Sequence, residues 1–287
     1  MHIGDEFATP GGMMDQKLTF AALERREWNN AHVARSYAGV FAKAADMVAP
    51  VLARAAGAKD GKRALDLCCG HGNVTACLCA AGCSATGLDF SQAMLDMARE
   101  TVPEAEFVEG DAMALPFEAG SFDLVTIGFG MPHVPDPRKV LREARRVLRR
   151  GGGIAFSVWC GPEVETALGY VFGAIARHGD PAIALPEGPG ANDYADRERA
   201  FAALSDAGFE NPQLEVVNSL WRVRDPGAPF DFFRDGTARG GAMLRPQPQT
   251  HAKAIRAAVD AEVRARHGDG PVWDVPIPAV VISARAA

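Results

Sequence analysis

Two aspartates and one histidine stand out in this chain, because each follows a short apolar run and all lie downstream of one glycine-bearing turn. The turn is ALDLCCGHGNVT, residues 64–75, between a predicted strand and a predicted helix. Gly70 and Gly72 allow close approach of backbone to a ligand, and the first N–H groups of the helix face it. The same residues begin a dinucleotide fingerprint, G-x-G-x-x-G, whose third glycine is here Thr75. Asp89, in TGLDFS, ends the next predicted strand 19 residues after Gly70, where a carboxylate can accept both hydroxyl protons of a ribose. Phe90 and Met94 follow and offer an apolar face to an adenine ring, although Met94 is equally suited to helix packing. Asp111, in EGDAMALPF, comes just after a third strand, 22 residues beyond Asp89. From there it can accept a hydrogen bond from the adenine amino group while the Ala112 N–H reads the neighbouring ring nitrogen. A dehydrogenase needs no such residue at that point. His133, in GMPHVPDP, is the best placed of seven histidines to move a proton, since imidazole titrates near neutrality. Its alternative role is to support that loop.

These residues need a frame that brings strand ends together. RALDL (63–67), residues 85–88, residues 106–109, FDLVTIG (122–128) and IAFSVW (154–159) read as strands, with helices over 72–81, 91–100 and from 137 onward. Ser91 is the expected N-cap of the second helix, and Asp136 with Pro137 opens the third. Gly151, Gly152 and Gly153 are expected to close that third helix. Strand and helix alternating in this way imply a parallel sheet built from right-handed crossovers. Further on, 198–207 reads as a helix ended by Gly208, 214–217 as a strand, 250–266 as a helix and 277–283 as a final strand. Pro278 implies that this last strand lies at an edge or begins after the proline. The expected fold is therefore α/β: a doubly wound, mostly parallel, seven-stranded sheet with a helical N-terminal cap and lid insertions.

Composition narrows the class. The chain has 287 residues, 48% hydrophobic and 23% charged, which is ordinary for a globular protein. No apolar run approaches the roughly 18 residues that cross a bilayer, and the N-terminal residues carry no basic flank with an apolar stretch behind it. The expected location is cytoplasmic. A net charge of −6 disfavours a partner held by phosphate contacts. The arginines of 138–150 oppose an apolar stripe of Val140, Leu141, Ala144, Val147 and Leu148, so they read as a solvated helix face and not as a nucleic-acid site. Five of six cysteines fall between Cys68 and Cys83 without paired C-x-x-C spacing. They read as small apolar fillers, and no metal site is expected.

Taken in order, LDLCCGHG, GLDFSQAML, GDAMALPF, SFDLVTIGFGMPHVPDP and RRVLRRGG resemble the class I S-adenosylmethionine-dependent methyltransferases, in particular the quinone and natural-product branch. The resemblance is specific over about residues 62–160 and extends more weakly through DRERAFAALSDAGFENPQLEV. It implies one methyltransferase domain over 1–287. Residues 15–57 would be a helical cap, 58–160 the cofactor-binding core, 161–192 and 225–270 lid segments that hold the acceptor, and 198–217 with 277–284 the rest of the sheet. It implies that Asp66, Cys68, Gly70 and Gly72 line the methionine and sulfonium end of S-adenosylmethionine, that Asp89 holds the ribose, and that Asp111 and Ala112 read adenine. Gly128 and Phe129 would face the methyl-transfer site, and Tyr37 would lie near the cofactor. Cys68 departs from the family, which usually has glycine there, and its Cβ narrows the approach to the methionine end. The acceptor would be a small molecule, hydrophobic or aromatic, in a pocket drawn from Trp28, Met131, Trp159, Tyr170, Phe172, Phe230, Phe232 and Phe233, with His133 as general base. A homodimer is compatible with the chain. Two other readings remain open: a cofactor-binding protein without methyl transfer, and a nicotinamide-dependent oxidoreductase of similar topology.

Overall fold

A computed structural model describes residues 18–161 and 163–287; the part of the expected N-terminal cap at 15–17 lies outside them. Seven strands form one sheet: β1 (Arg63–Leu67), β2 (Ser84–Asp89), β3 (Glu106–Glu109), β4 (Phe122–Gly128), β5 (Leu148–Trp159), β6 (Phe209–Val217) and a C-terminal strand, Ala279–Ala286. Across the sheet they run β3-β2-β1-β4-β5, then the Ala279–Ala286 strand, then β6. The first five are parallel, and the Ala279–Ala286 strand is antiparallel to both neighbours. This is the doubly wound α/β sheet expected from the sequence. The order reverses between β1 and β4, which opens a crevice at the carboxyl ends of those strands, where such sheets bind ligands.

Helices cover both faces. In chain order the first are α1 (Phe20–Trp28), α2 (Ala31–Ser36) and α3 (Ala42–Ala56), with a π-helical turn at Tyr37–Phe41 between the last two. Next come α4 (Asn73–Ala80), α5 (Gln92–Thr101), α6 (Pro137–Val147), α7 (Ala167–His178) and α8 (Arg197–Asp206). One core lies between α3, α4 and the sheet, with Leu52, Leu78, Leu124 and Ala155 buried. The other lies beneath α6 and α8, with Val140, Leu141, Ile154, Phe156 and Leu204. Side chains alternate along each strand, so β5 sends Ala155 to one core and Phe156 to the other. Ser91 caps α5 by accepting from the Met94 N–H, and Asp136 caps α6 from Lys139, both as the sequence implied.

The glycine triplet departs from expectation. Helix α6 ends at Val147, and Gly151–Gly153 lie inside β5. A Cβ at Gly153 would stand 1.9 Å from the Ala56 carbonyl oxygen, so the glycine serves a close crossing of α3 over the strand and not a helix stop. The Ala279–Ala286 strand begins after Pro278 and is interior, not at an edge. The arginines of α6 are spent on neighbours: Arg138 pairs with Asp206, Arg142 with Asp136 and Arg146 with Glu143.

The segments expected to be lids are largely helical, and the helix expected at 250–266 is present. Beyond α7, the chain forms α9 (Ala228–Gly236), α10 (Ala238–Leu244) and α11 (Gln249–His267). A ribbon of β7 (Leu220–Val223) and β8 (Trp273–Pro276) joins them, and the Ala279–Ala286 strand is β9. Tyr170, Phe230, Phe232, Phe233 and Trp221 pack together in this helical body.

Candidate active site

The turn after β1 is built around one carboxylate. Asp89 sits at the end of β2, 8% exposed. Its Oδ2 accepts the Gly70 N–H at 2.9 Å and its Oδ1 accepts the Ser91 N–H at 2.9 Å. Two turns that converge on the crevice are thereby tied together. Burial pushes the Asp89 carboxyl upward, more strongly than the amides of Ser91, Gly70 and Phe90 hold it down. Gly70 adopts φ +54° and would give a Cβ no protein neighbour within 4 Å, because the space it faces is the cavity itself. Cys68 takes the same left-handed conformation, φ +53°, which costs a residue with a side chain about 1–3 kcal/mol. Its thiol lies against Gly130, where any Cβ would collide with it.

Two predicted residues do not reach the cavity. Asp66 is fully buried beneath the turn, accepting from Thr75 Oγ1 at 2.7 Å and Thr126 Oγ1 at 2.8 Å. Burial raises it to about 7, against the two hydroxyl donors. It joins β1, α4 and β4 and presents nothing to a ligand. Gly72, at φ +91°, opens α4 and faces Ala98 of α5 and Val102 just after it, where a Cβ would be crowded at 3.3 Å.

The remaining predicted residues line two adjoining cavities that share Cys68, Asp89, Phe90, His133 and Val134. One adds Tyr37, Gly70, Met94, Gly128 and Phe129; the other adds Asp111, Ala112 and Arg25. Phe129, at φ +57°, takes a hydrogen bond through its N–H to Ser157 and stacks on Trp159 at 3.9 Å. Asp111 Oδ1 accepts the Met113 N–H at 2.8 Å, which fixes the carboxylate at the end of β3. Arg25 stands 4.0 Å from Asp111 Oδ2 and 5.4 Å from the centre of the Phe90 ring.

His133 ends a short 3₁₀ turn after β4, Met131–His133, and lines both cavities. Its Nδ1 lies 3.0 Å from Glu24 Oε2, and its ring meets Trp28 edge to face at 5.1 Å. Glu24 also accepts from Trp28 Nε1 at 2.9 Å and from Arg239 Nε at 3.0 Å. Burial disfavours the ionised Glu24, but His133 and Arg239 outweigh it and hold the carboxyl below its usual range. Arg239 also bonds the carbonyls of Pro189 and Pro132. Sequence reasoning missed Glu24 and Arg239. The available signal was in α1, whose buried stripe Phe20, Leu23, Glu24, Glu27 and Trp28 carries two glutamates where apolar residues belong.

The aromatic residues proposed for the acceptor do not form one pocket. Trp28 lines the crevice and Met131 is core. Phe172 lines a separate cavity of about 470 Å³ with Phe20, Leu23, Leu168, Leu185 and Arg239. Its walls are mostly apolar, and Arg239, bonded to Glu24, lies on the side toward His133.

Comparison with known proteins agrees with this geometry. Residues 65–156 match a family described as a methyltransferase domain, and the sheet carries the strand order and crevice described above. That stretch is similar to a methyltransferase domain, and the sheet around it has the class I methyltransferase fold. The methyltransferase core is 49% identical over 102 residues to a demethylmenaquinone methyltransferase of Staphylococcus aureus. The match covers 33% of this chain and 42% of that protein, so the chain spans under half the length of the curated relatives it matches. The YcgJ protein of Bacillus subtilis superposes with a TM-score of 0.55 at 19% identity, over 83% of this chain and 97% of that one. Phosphoethanolamine N-methyltransferase 2 of Haemonchus contortus, solved with phosphomonomethylethanolamine and S-adenosylhomocysteine, gives 0.56 at 16%, over 93% and 60%. The [4+2]-cyclase SpnF gives 0.56 at 18%, over 93% and 97%. These likenesses establish the fold of the methyltransferase core. Among the described residues, no helix is long and apolar enough to cross a membrane.

Proposed function

We propose that this protein binds S-adenosylmethionine in the crevice and transfers its methyl group to a small, largely apolar acceptor, with His133 as the base. The observation that carries the reading is Asp89. Each oxygen of this buried carboxylate accepts a backbone N–H, from Gly70 and from Ser91, and the group lines the cavity with acceptor capacity to spare. A ribose diol fits that pattern, and Asp111 at the end of the next strand fits an adenine amino group. When bound, S-adenosylmethionine supplies a methyl group already activated on a sulfonium.

The chain's own residues then have three tasks. Asp89, Asp111 and the Ala112 N–H hold the nucleoside. Gly70, without a side chain, leaves room for the methionine end, and the stacked Phe129 and Trp159 give it a rigid floor. His133 takes the proton that an acceptor hydroxyl or amine gives up, a contribution of about 10²–10⁴-fold where a base is used. Proximity and orientation supply most of the remaining acceleration. The apolar cavity of about 470 Å³ beyond Arg239 is where we place the body of the acceptor.

Calorimetry with S-adenosylhomocysteine and with NAD tests the cofactor, and an acceptor library monitored for S-adenosylhomocysteine tests the chemistry. Binding of NAD alone would overturn the reading in favour of an oxidoreductase. A second reading keeps its place because of Cys68, a left-handed residue with a side chain, which lines both cavities. It is a protein that binds the nucleoside without transferring methyl, and it predicts tight binding with no product from any acceptor.

A further inference from the structure

We propose that Glu24 is the positioning residue for His133: it fixes the proton on Nδ1, leaves Nε2 free to accept, and is itself held in place by Arg239. This rests on the reading of His133 as the base. The argument is an inventory of donors. An ionised carboxylate only accepts, and Glu24, its side chain 2% exposed, faces three nitrogen atoms: Trp28 Nε1, Arg239 Nε and His133 Nδ1. The indole and the guanidinium can only donate. The imidazole must do the same at Nδ1, for a lone pair turned toward a carboxylate oxygen at 3.0 Å would repel it. The proton therefore resides on Nδ1, and Nε2 is the nitrogen left to the cavity that the ring lines. Imidazole free in water prefers the opposite tautomer, so the choice is imposed by Glu24.

Three separate parts of the chain meet in this arrangement. Glu24 is on α1, His133 follows β4, and Arg239 is on α10. Arg239 also grips the carbonyls of Pro132, next to His133, and Pro189, in the loop over the apolar cavity. The base is thus oriented only while α1 and α10 are seated over the crevice. In the proton transfer, the acceptor's proton moves to Nε2, and the electron pair it leaves forms the bond to the methyl carbon. The carbon–sulfur pair stays on sulfur. The imidazolium that results faces the Glu24 carboxylate through Nδ1–H, then loses the Nε2 proton to water.

The test is the ¹⁵N–¹H spectrum of His133 in the protein without ligand, at a pH where the ring is neutral. The wild type should show Nδ1 protonated and Nε2 bare. In Glu24→Gln the amide oxygen can serve Arg239 on one side or Trp28 Nε1 and His133 on the other, so the tautomer is read in Glu24→Leu, which offers Nδ1 no acceptor and should return the proton to Nε2. The same variant should lose about 10²-fold or more in kcat, with S-adenosylhomocysteine affinity and acceptor KM within about three-fold of wild type. In a His133→Ala background, Glu24→Leu should cost nothing further. A wild-type spectrum with the proton on Nε2 overturns the proposal without any variant having to fold, as does an unchanged tautomer in folded Glu24→Leu. If instead the wild type fails to bind S-adenosylhomocysteine, the methyltransferase reading falls, while the tautomer measurement still decides the role of Glu24.

Discussion

Replacing Asp89 isolates the nucleoside contact from everything else in the crevice. Asp89 Oδ1 and Oδ2 each accept a backbone N–H at 2.9 Å, and the group has acceptor capacity to spare for the ribose hydroxyls. A hydrogen bond to a charged group contributes about 1.5–3 kcal/mol. Asp89→Asn keeps one acceptor oxygen and turns an NH₂ group toward either Gly70 or Ser91. It should lose one ribose contact, which corresponds to roughly 10- to 150-fold weaker binding. Asp89→Ala loses both and should weaken binding by roughly 10²- to 10⁴-fold. Either change also removes hydrogen bonds that close the turn, so melting temperatures should fall, and the binding comparison is made only among variants that still melt cooperatively. The assay is isothermal calorimetry with S-adenosylhomocysteine, which cannot turn over. If folded Asp89→Ala binds it within three-fold of the parent, the carboxylate does not hold the ligand and the assignment of the crevice is wrong.

Other outcomes follow from the same geometry. The Asp66 carboxyl is raised by burial from 3.8 to about 7, so the folded state holds a proton that the unfolded chain releases; stability attributable to it should fall as pH rises from about 4 to 7 and level off above. Asp66→Asn, whose amide Thr75 or Thr126 can serve by turning a hydroxyl, should flatten that part of the pH profile measured by urea unfolding; an unchanged slope would exclude Asp66 as its source. Gly153→Ala sets a methyl group 1.9 Å from the Ala56 carbonyl oxygen and 2.6 Å from the Arg285 guanidinium, and should destabilise by about 3 kcal/mol or more. A melting temperature within 2 °C of the parent would contradict that crowding. Cys68→Gly relieves a left-handed residue and removes a side chain from the lining of both cavities, so calorimetry should show affinity for S-adenosylhomocysteine rising several-fold; weaker binding would mean the thiol assists the ligand.

What the sequence disclosed was mostly local. The β1–α4–β2–α5–β3 run was legible because caps and strand punctuation coincide: Ser91 precedes α5 and Asp89 ends β2. What it hid depends on contacts distant along the chain. Gly151–Gly153 resembles a helix stop, and only the crossing of Ala56, about a hundred residues earlier, shows that a strand needs those glycines. Within the lid expected at 225–270 the sequence marks only the helix at 250–266; α9 and α10 form as well, α9 packed against α7 and α11, and α10 against α9 and α1. Asp66 read as a ligand contact because its position in the turn is right; its two threonine partners lie on separate elements. Glu24 escaped notice because a glutamate in a helix is usually solvated, and its partners lie 109 and 215 residues away.

The C-terminal strand has a consequence of its own. β9 is apolar toward both layers, with Val281 turned to one core and Val280 and Ile282 to the other. Over Ala279–Ile282 a slide by a single residue would exchange valine for valine, and only Ser283 and Arg285, at the far end, would be carried into a core by it. Its alignment is specified at the entrance as well. Cys160 donates its N–H to the Pro278 carbonyl at 2.9 Å, Ile277 donates to Ser219 at 3.0 Å, and the Ser219 hydroxyl returns a bond to Ile277 at 2.5 Å. That anchor sits one residue from Trp159, beneath Phe129. A change at Ser219, remote from every ligand atom, would be felt first as a loosened aromatic floor.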